Sequence, residues 1–463
     1  MAEPAKVKLS NTERLEKEPV LKLMFRLATP AIIGMAVQAL YNVVDTVYVG
    51  HVSKTALSAL SLAFPIQMFL IAVAVGTGVG ANSLISRRLG EGKYKDANQV
   101  ADHVFGLALV FAVVIGLIGF FFYDELVRIF TDDRRLIGSA GTYIRIIMMG
   151  SGAMFVPMIT NNILRGEGNT FVPMLTMIIG AVINIGIDPL LIYGIGPFPE
   201  MGVAGAALAT VIARAVSGVF ILLVLFKGDH KVKLRIRELR LSFRLLGELY
   251  RVGVPAMIMQ LLASVMIAGM NKIVVNYNVL AVAVVGVFFR LQSFILMPIF
   301  GLSQGYIPIV GYNFGQKNPD RMKKAMKIGA FVGFGFSFIG FVLFQFFPKS
   351  LFMLFNDDPE LIGLGVAALR RISIAFPFIG PAIVGITTFQ AVGRGLPSLI
   401  VSVLRQIVFL LPVMYLLGKI YGLPTLWLAF PISVLASVVL LGFWIRKVLK
   451  QVFEAVKQES ALV

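Results

Sequence analysis

Two carboxyl groups sit inside stretches that are otherwise apolar: Asp45 in Leu40-Tyr-Asn-Val-Val-Asp45-Thr-Val-Tyr-Val-Gly50, and Asp188 in Asn184-Ile-Gly-Ile-Asp188-Pro189. An acid in a hydrocarbon span is costly, so it usually faces a bundle interior and marks a path for ions or substrate. Gln38, Tyr41 and Asp45 stand at i, i+3 and i+7, which is one stripe of a helix. Met177, Asn184 and Asp188 stand at i, i+7 and i+11, one stripe of another. If the stripes meet across a cavity, two close carboxyls in low dielectric cannot both ionise freely. They then make a proton acceptor that works near neutral pH. The same carboxylates with the Asn184 amide oxygen and a hydroxyl would instead form an all-oxygen site for a hard cation such as Na⁺. The residue types suit either ion.

Blander roles compete for the same residues. Asp45 as structural glue, hydrogen-bonded to a Ser or Thr on a neighbouring helix, is outweighed by the cost of placing an acid there. For Gln38, Tyr41 and Asn184, packing and interhelical hydrogen bonds compete closely with substrate contact. Met177 alone would read as core.

The elements that position these groups follow from composition. Of 463 residues, 58% are hydrophobic and only 14% charged, and mean hydropathy is +0.86. A soluble chain is about a quarter charged, so this is a membrane protein. The net charge of +18 comes from short Lys/Arg clusters between apolar runs, the pattern of cytoplasmic loops. That excludes nucleic acid as a partner. Cys is absent and the three His (His51, His103, His230) are scattered, so disulfides, thiolate sites and zinc or haem centres are not expected. The polar N-terminus lacks the apolar core of a secretory signal.

Apolar segments of spanning length recur twelve times, near 23–49, 57–84, 99–123, 137–163, 170–196, 201–226, 247–272, 281–309, 325–346, 361–390, 396–418 and 422–446. Pro30, Pro65, Pro157, Pro189, Pro255, Pro298, Pro377 and Pro412 fall within them as expected kinks. Basic clusters precede the first span and follow the second, sixth, eighth and twelfth. The alternate loops are short or carry acids, such as Asp132-Asp133 and Asp357-Asp358, which read as solvated. Both termini are then cytoplasmic in a multi-pass protein of the inner membrane.

The chain also repeats itself at an offset of 225 residues. Pro30 matches Pro255, Gly76 matches Gly301, Gly90 matches Gly315, Asp132-Asp133 matches Asp357-Asp358 and Arg145 matches Arg370. Two parallel six-span halves are implied, with a cavity between them that opens to either side by rocking. The expected divisions are a cytoplasmic tail at 1–22, an N-terminal lobe at 23–226, a basic connector at 227–246, a C-terminal lobe at 247–446 and a tail at 447–463. The connector reads as partly an interfacial amphipathic helix against anionic membrane lipid. The repeat mate of Asp45 is Met270, and no acid stands opposite Asp188. The carboxyls therefore belong to the N-terminal half alone.

Nothing in the sequence supplies a nucleotide motor: Gly76-Thr-Gly78-Val-Gly80 lies inside a span, where small residues favour close helix packing. No nucleophile–base or metal cluster suggests an enzyme. Arg290 and Arg405, within spans of the second half, read as structural or lipid-facing.

At this point a family resemblance is evident. Tyr41-Asn-Val-Val-Asp45-Thr, Gly301-Leu-Ser-Gln-Gly-Tyr-Ile-Pro308-Ile-Val-Gly-Tyr-Asn313-Phe-Gly315, Arg165-Gly-Glu-Gly-Asn169 and Gly205-Ala-Ala-Leu-Ala-Thr210 resemble the multidrug and toxic compound extrusion (MATE) family. Confining the acids to the first half resembles its DNA-damage-inducible F branch. The resemblance implies an all-α membrane protein of about twelve helices in two pseudo-twofold lobes, exporting lipophilic, often cationic drugs in exchange for H⁺ or Na⁺. It implies ion coupling at Asp45, Asn184, Asp188 and Thr210, with Asp45 and Asp188 as metal ligands if the ion is Na⁺. It further implies a drug cavity lined by Gln38, Tyr41, Tyr143, Asn161 and Met177, and a hinge at Pro30. No cofactor beyond the coupling ion is expected, and the transporter is expected to act as a monomer. The rival reading is a flippase for a lipid-linked precursor, in which Arg290 and Arg405 bind pyrophosphate. A non-transporting receptor or scaffold fits the asymmetric acids poorly.

Overall fold

Prolines and asparagines punctuate a chain that is otherwise almost continuous helix. The computed structural model describes residues 10–52, 54–228, 230–235 and 241–460. The first half comprises α1 (Asn11–Lys17), α2 (Val20–Val52), α3 (Lys54–Gly90), α4 (Tyr94–Phe121), α5 (Tyr123–Arg128), α6 (Arg134–Met149), α7 (Gly152–Gly166), α8 (Phe171–Tyr193) and α9 (Gly202–Lys227). The second comprises α10 (Phe243–Val274), α11 (Val279–Gly315), α12 (Pro319–Phe346), α13 (Pro348–Met353), α14 (Pro359–Ser373), α15 (Phe376–Ala391), α16 (Gly395–Val403), a π-helical turn (Leu404–Phe409), α17 (Leu410–Tyr421), α18 (Leu423–Leu426) and α19 (Ala429–Ser460). The repeat read from sequence reappears in the helix bounds: α11, α12 and α13 each begin and end 225 residues after α3, α4 and α5.

Among the described residues ten helices are long and apolar enough to cross a bilayer, and two bent pairs, each taken as one span, bring the number to twelve. The segments expected as single spans at 137–163 and 361–390 are these pairs, α6 with α7 at 48° and α14 with α15 at 52°. Their bends lie upstream of Pro157 and at Pro377. At Gly150, the methyls of Val211 from α9 occupy the space a side chain would need. In the second half Pro377 has no N–H to return to the Ser373 carbonyl, so α14 ends there. Pro30, Pro65, Pro189, Pro255 and Pro298 lie inside unbroken helices. The π-helical turn ends just before Pro412, whose ring would otherwise meet the carbonyl four residues back. The acids assigned to solvated loops also have a structural task. Asp133 and Asp358, again 225 apart, cap α6 and α14 by accepting from the N–H of Arg135 and Glu360, each at 2.9 Å.

The halves pack mainly through α2 against α11 and α3 against α10 and α11. Glycines allow it: a Cβ on Gly76 would lie 2.6 Å from the Gly253 carbonyl, and one on Gly301 2.7 Å from the Ile32 Cα. The polar contacts across the boundary lie towards the end carrying the basic loops, with Ser83 donating to the Gln390 carbonyl and Arg88 paired with Glu248.

Two outlying segments are tied down. α1 is capped by Ser10 and buries Leu15 against Gly168 of the first half. Arg321 of α12 donates to the carbonyls of Leu15 (3.0 Å) and Glu18, so the segment straps both halves. Within the connector α10 begins at Phe243, and residues 230–235 ahead of it are not helical. Their N–H groups are satisfied by side chains instead: Lys231 by Glu167 (2.6 Å), Lys233 by Asn98 (3.0 Å) and Arg235 by Asp102 (2.7 Å). Residues 1–9, Arg237 and Arg240 lie outside the described residues.

Candidate functional site

The two acids meet. α2 carries Asp45 and α8 carries Asp188, and these helices pack along their length, bringing the two carboxyls within hydrogen-bonding reach of each other. Asp188 is fully buried, and the Asn184 amide, one turn earlier on α8, donates to its Oδ1 at 3.2 Å. That arrangement leaves three acceptor oxygens without a donor among the described residues: Asp45 Oδ1, Asp188 Oδ2 and Asn184 Oδ1. Buried acceptors with no donor are costly. A proton or a hard cation would relieve them, and the all-oxygen donor set fits both. Among the described residues, no group of three or more His, Cys, Asp or Glu could hold a metal, so a bound cation would need the amide and neutral oxygens as well.

The other residues of the sequence-derived site divide. Tyr41 is buried on the Asp45 helix, and Tyr143, on α6, is buried within electrostatic reach of both Asp45 and Tyr41. The Tyr143 hydroxyl accepts from Gln67 Nε2 of α3 at 2.8 Å. Gln38 is half-buried, one helical stripe from Tyr41. Asn161 of α7 is buried with its Oδ1 unpartnered. The half-buried Met177 fills the notch at Gly34 of α2, where a Cβ would come 2.8 Å from its sulfur. Thr210 is buried on α9, but among the described residues no hydrogen bond joins its hydroxyl to either carboxyl. Pro30 lies in α2 on the basic-loop side of these groups, within a continuous helix. The repeat mate of Asp45, Met270, is wholly buried in the core of the second half.

Two partners were not singled out from the sequence. Gln67 carries no charge to set it apart in an apolar span. Arg214, one turn after Thr210 on α9, acts electrostatically on Asp45 and Tyr143. Its signal was present, since a charge in an apolar span is as anomalous for Arg214 as for Asp45. The first-half site thus holds two acids, one cation, an amide-braced tyrosine and unpartnered acceptors. Its acids lie beyond the inter-half seal: Asp45 is 13 residues past Ile32, or roughly 20 Å along the helix.

Comparison with known proteins gives a consistent picture. The MatE family profile matches residues 30–190 and again 255–416, once in each half. An FAD transporter of Shewanella oneidensis is 26% identical over 447 residues, spanning 96% of this chain and 97% of its own. The multidrug export protein MepA of Staphylococcus haemolyticus is 26% identical over 410 residues, spanning 88% and 89%. Among solved structures, the outward-facing conformation of a multidrug resistance MATE family transporter superposes with a TM-score of 0.91 at 28% identity, covering 96% of this chain and 100% of that one. A MOP superfamily transporter from Pyrococcus furiosus, whose binding pocket is described as of reverse polarity, gives 0.89 at 28% identity over 96% and 99%. The doubled sequence, the two six-helix lobes and these matches place the conclusion beyond fold alone: the chain belongs to the MatE family of multidrug efflux transporters.

Proposed function

We propose that the protein is a cation-coupled antiporter of the cytoplasmic (inner) membrane, exporting lipophilic, often cationic compounds as a monomer with both termini cytoplasmic. The lobes at 23–226 and 247–446 would alternate access to a cavity in the N-terminal half. The observation that carries this reading is the contact between Asp45 and Asp188, with Asn184 bracing one carboxyl and three acceptor oxygens left over. A cationic drug and the coupling ion, H⁺ or Na⁺, neutralise the same oxygens, so each disfavours the other. This differential binding supplies the coupling free energy that exchange requires. Gln38, Tyr41, Tyr143, Asn161 and Met177 contact the drug, Thr210 supports the ion site, and Pro30 is where α2 bends as the ion binds. Arg214 limits how many positive charges the site holds at once.

The test is transport of a fluorescent lipophilic cation in proteoliposomes under an imposed ΔpH or ΔNa⁺ at fixed membrane potential. Efflux driven by one of these gradients, and lost in Asp45→Asn, supports the reading. Efflux with unchanged ion dependence in that variant overturns it.

One observation favours a second reading, movement of a lipid-linked precursor. Arg405 is half-buried on the π-helical turn of the second half, with no ion pair among the described residues. The FAD transporter relative suggests that phosphate-bearing cargo is compatible with this architecture. Loss of precursor flipping in Arg405→Ala, with no drug efflux by the parent, would select it.

A further inference from the structure

The first half contains a buried cation that the coupling scheme does not use. Arg165 closes α7 and is 8% exposed. Its Nη1 donates to Gln304 Oε1 of α11 at 3.3 Å, its Nη2 reaches Met177 Sδ at 3.9 Å, and its Nε has no partner among the described residues. An amide oxygen and a thioether are weak company for a guanidinium, which has five donors in a fork suited to an oxyanion. Among the described residues no carboxylate lies within ion-pair distance of it. The acid next but one in sequence, Glu167, is committed elsewhere: it accepts from the Lys231 N–H and faces His230 of the connector. A buried charge with no carboxylate partner is expensive, and its place in the last turn of α7 offsets only part of that cost.

The surroundings point to what a ligand here carries. Arg165 touches Met177, and Met177 shares its α8 stripe with Asn184 and Asp188. The 11 residues from Met177 to Asp188 span roughly 16 Å. Along α8 the two acids therefore stand about three turns from the Met177 sulfur that Arg165 touches. Arg165 also stands at the seam: Gln304, its one oxygen partner among the described residues, belongs to the opposite half. Separation of the halves at this end would withdraw Gln304 and free the guanidinium towards the opening.

We propose that Arg165 is the receptor for an acidic group, a carboxylate or a phosphate, on the transported molecule, and that Gln304 occupies it when the halves close. This rests on the transport reading above and assigns the acidic group of the cargo its own receptor, Arg165, apart from Asp45 and Asp188.

Fluorescence-polarisation binding to the purified full-length protein, with two matched probe pairs, tests the assignment. Rhodamine B and its ethyl ester differ in a carboxylate; flavin mononucleotide and riboflavin differ in a phosphate. A charge-assisted hydrogen bond predicts that the acid of at least one pair binds about ten-fold tighter than its neutral partner. The pair that discriminates identifies the acid. Arg165→Gln should bring that ratio near one while leaving the ester or riboflavin affinity within about two-fold, and Arg165→Lys should retain part of it. Gln304→Glu supplies a resident carboxylate to the intact guanidinium, and should abolish the preference even if Arg165→Gln does not fold. The proposal is overturned if neither pair discriminates in the parent, if the preference survives Arg165→Gln or Gln304→Glu, or if acid and neutral probes weaken alike. Ion-driven uptake of the rhodamine ester in proteoliposomes reports separately on the transport reading, so the two can fail independently.

Discussion

Gly90 and Tyr312 touch across the boundary between the halves, and the contact is returned 225 residues away. A Cβ on Gly90 would lie 2.0 Å from the Tyr312 carbonyl oxygen, and one on Gly315 would lie 2.1 Å from that of Arg87. Arg87 and Tyr312 are themselves repeat mates, so the α3 and α11 ends cross by pseudo-twofold symmetry. Carbon–oxygen contact needs more than a further ångström, and both obstacles are backbone, so Gly90→Ala must push the halves apart here. We expect it to shift the population towards the state open at the basic-loop end. Because the chain has no Cys, spin labels at Lys93→Cys and Lys324→Cys would report only the engineered sites. Their separation should lengthen by several ångströms in Gly90→Ala, and an unchanged distance would contradict the seal.

The carboxyl pair makes a graded prediction. Asp45→Asn and Asp188→Asn should each abolish ion-driven efflux, because an amide can neither take up a proton nor neutralise a cation. Asn184→Ala removes one hydrogen bond to a carboxyl, worth about 1.5–3 kcal/mol, and should weaken coupling by about ten-fold or more without abolishing it. The Asp45→Asn/Asp188→Asn double variant should be no worse than either single one, since the two act as a unit. Additive losses would mean two separate sites.

Much of this was legible in the sequence because it lies in residue type and period. The offset that pairs Gly90 with Gly315 also fixes the matched ends of α3 and α11, and a carboxylate in an apolar run is conspicuous by its transfer cost. The bends were harder to place. Pro157 lies in the span, but the α6–α7 break falls upstream at Gly150, where Val211 fills the space a side chain would need, a contact that requires knowing how α9 packs. The anchoring of the basic connector was out of reach for a related reason: the N–H groups of Lys231, Lys233 and Arg235 are claimed by Glu167, Asn98 and Asp102, partners 64 to 135 residues away. Arg214 carried the same signal as Asp45, yet only the packing of α9 brings it within reach of that acid.

The connector contacts predict a stability effect separable from transport. Glu167 is 3% exposed and its two oxygens serve the Lys231 N–H and His230. Glu167→Ala strands a largely buried donor, a penalty of about 1–3 kcal/mol, and loosens the strand joining the two halves. We expect a lower Tm by differential scanning fluorimetry, with the Kd for the rhodamine ester unchanged within about two-fold. A variant as stable as the parent would show that the connector is not held through this acid.

Glu91, in the turn after α3, gives a pH dependence whose sign is fixed. Burial opposes its charge, but hydrogen bonds from Lys93 (2.8 Å) and Arg88 (2.7 Å) outweigh it and hold the carboxyl below its ordinary value. A carboxylate whose folded value is depressed binds fewer protons than the unfolded chain. Its stabilisation is therefore fully present above the unfolded value, about 4.3, and disappears as pH falls through the folded one. Arg88 also pairs with Glu248 of the second half, so Glu91 helps hold a guanidinium that bridges the seal. Glu91→Gln should lower Tm by about 1–2 °C at pH 7, a small effect because the pair is partly solvated. The difference from the parent should shrink below about pH 4 and diminish in high salt. A gap that widens on acidification would mean that Glu91 is protonated in the folded protein and stabilises it by packing alone.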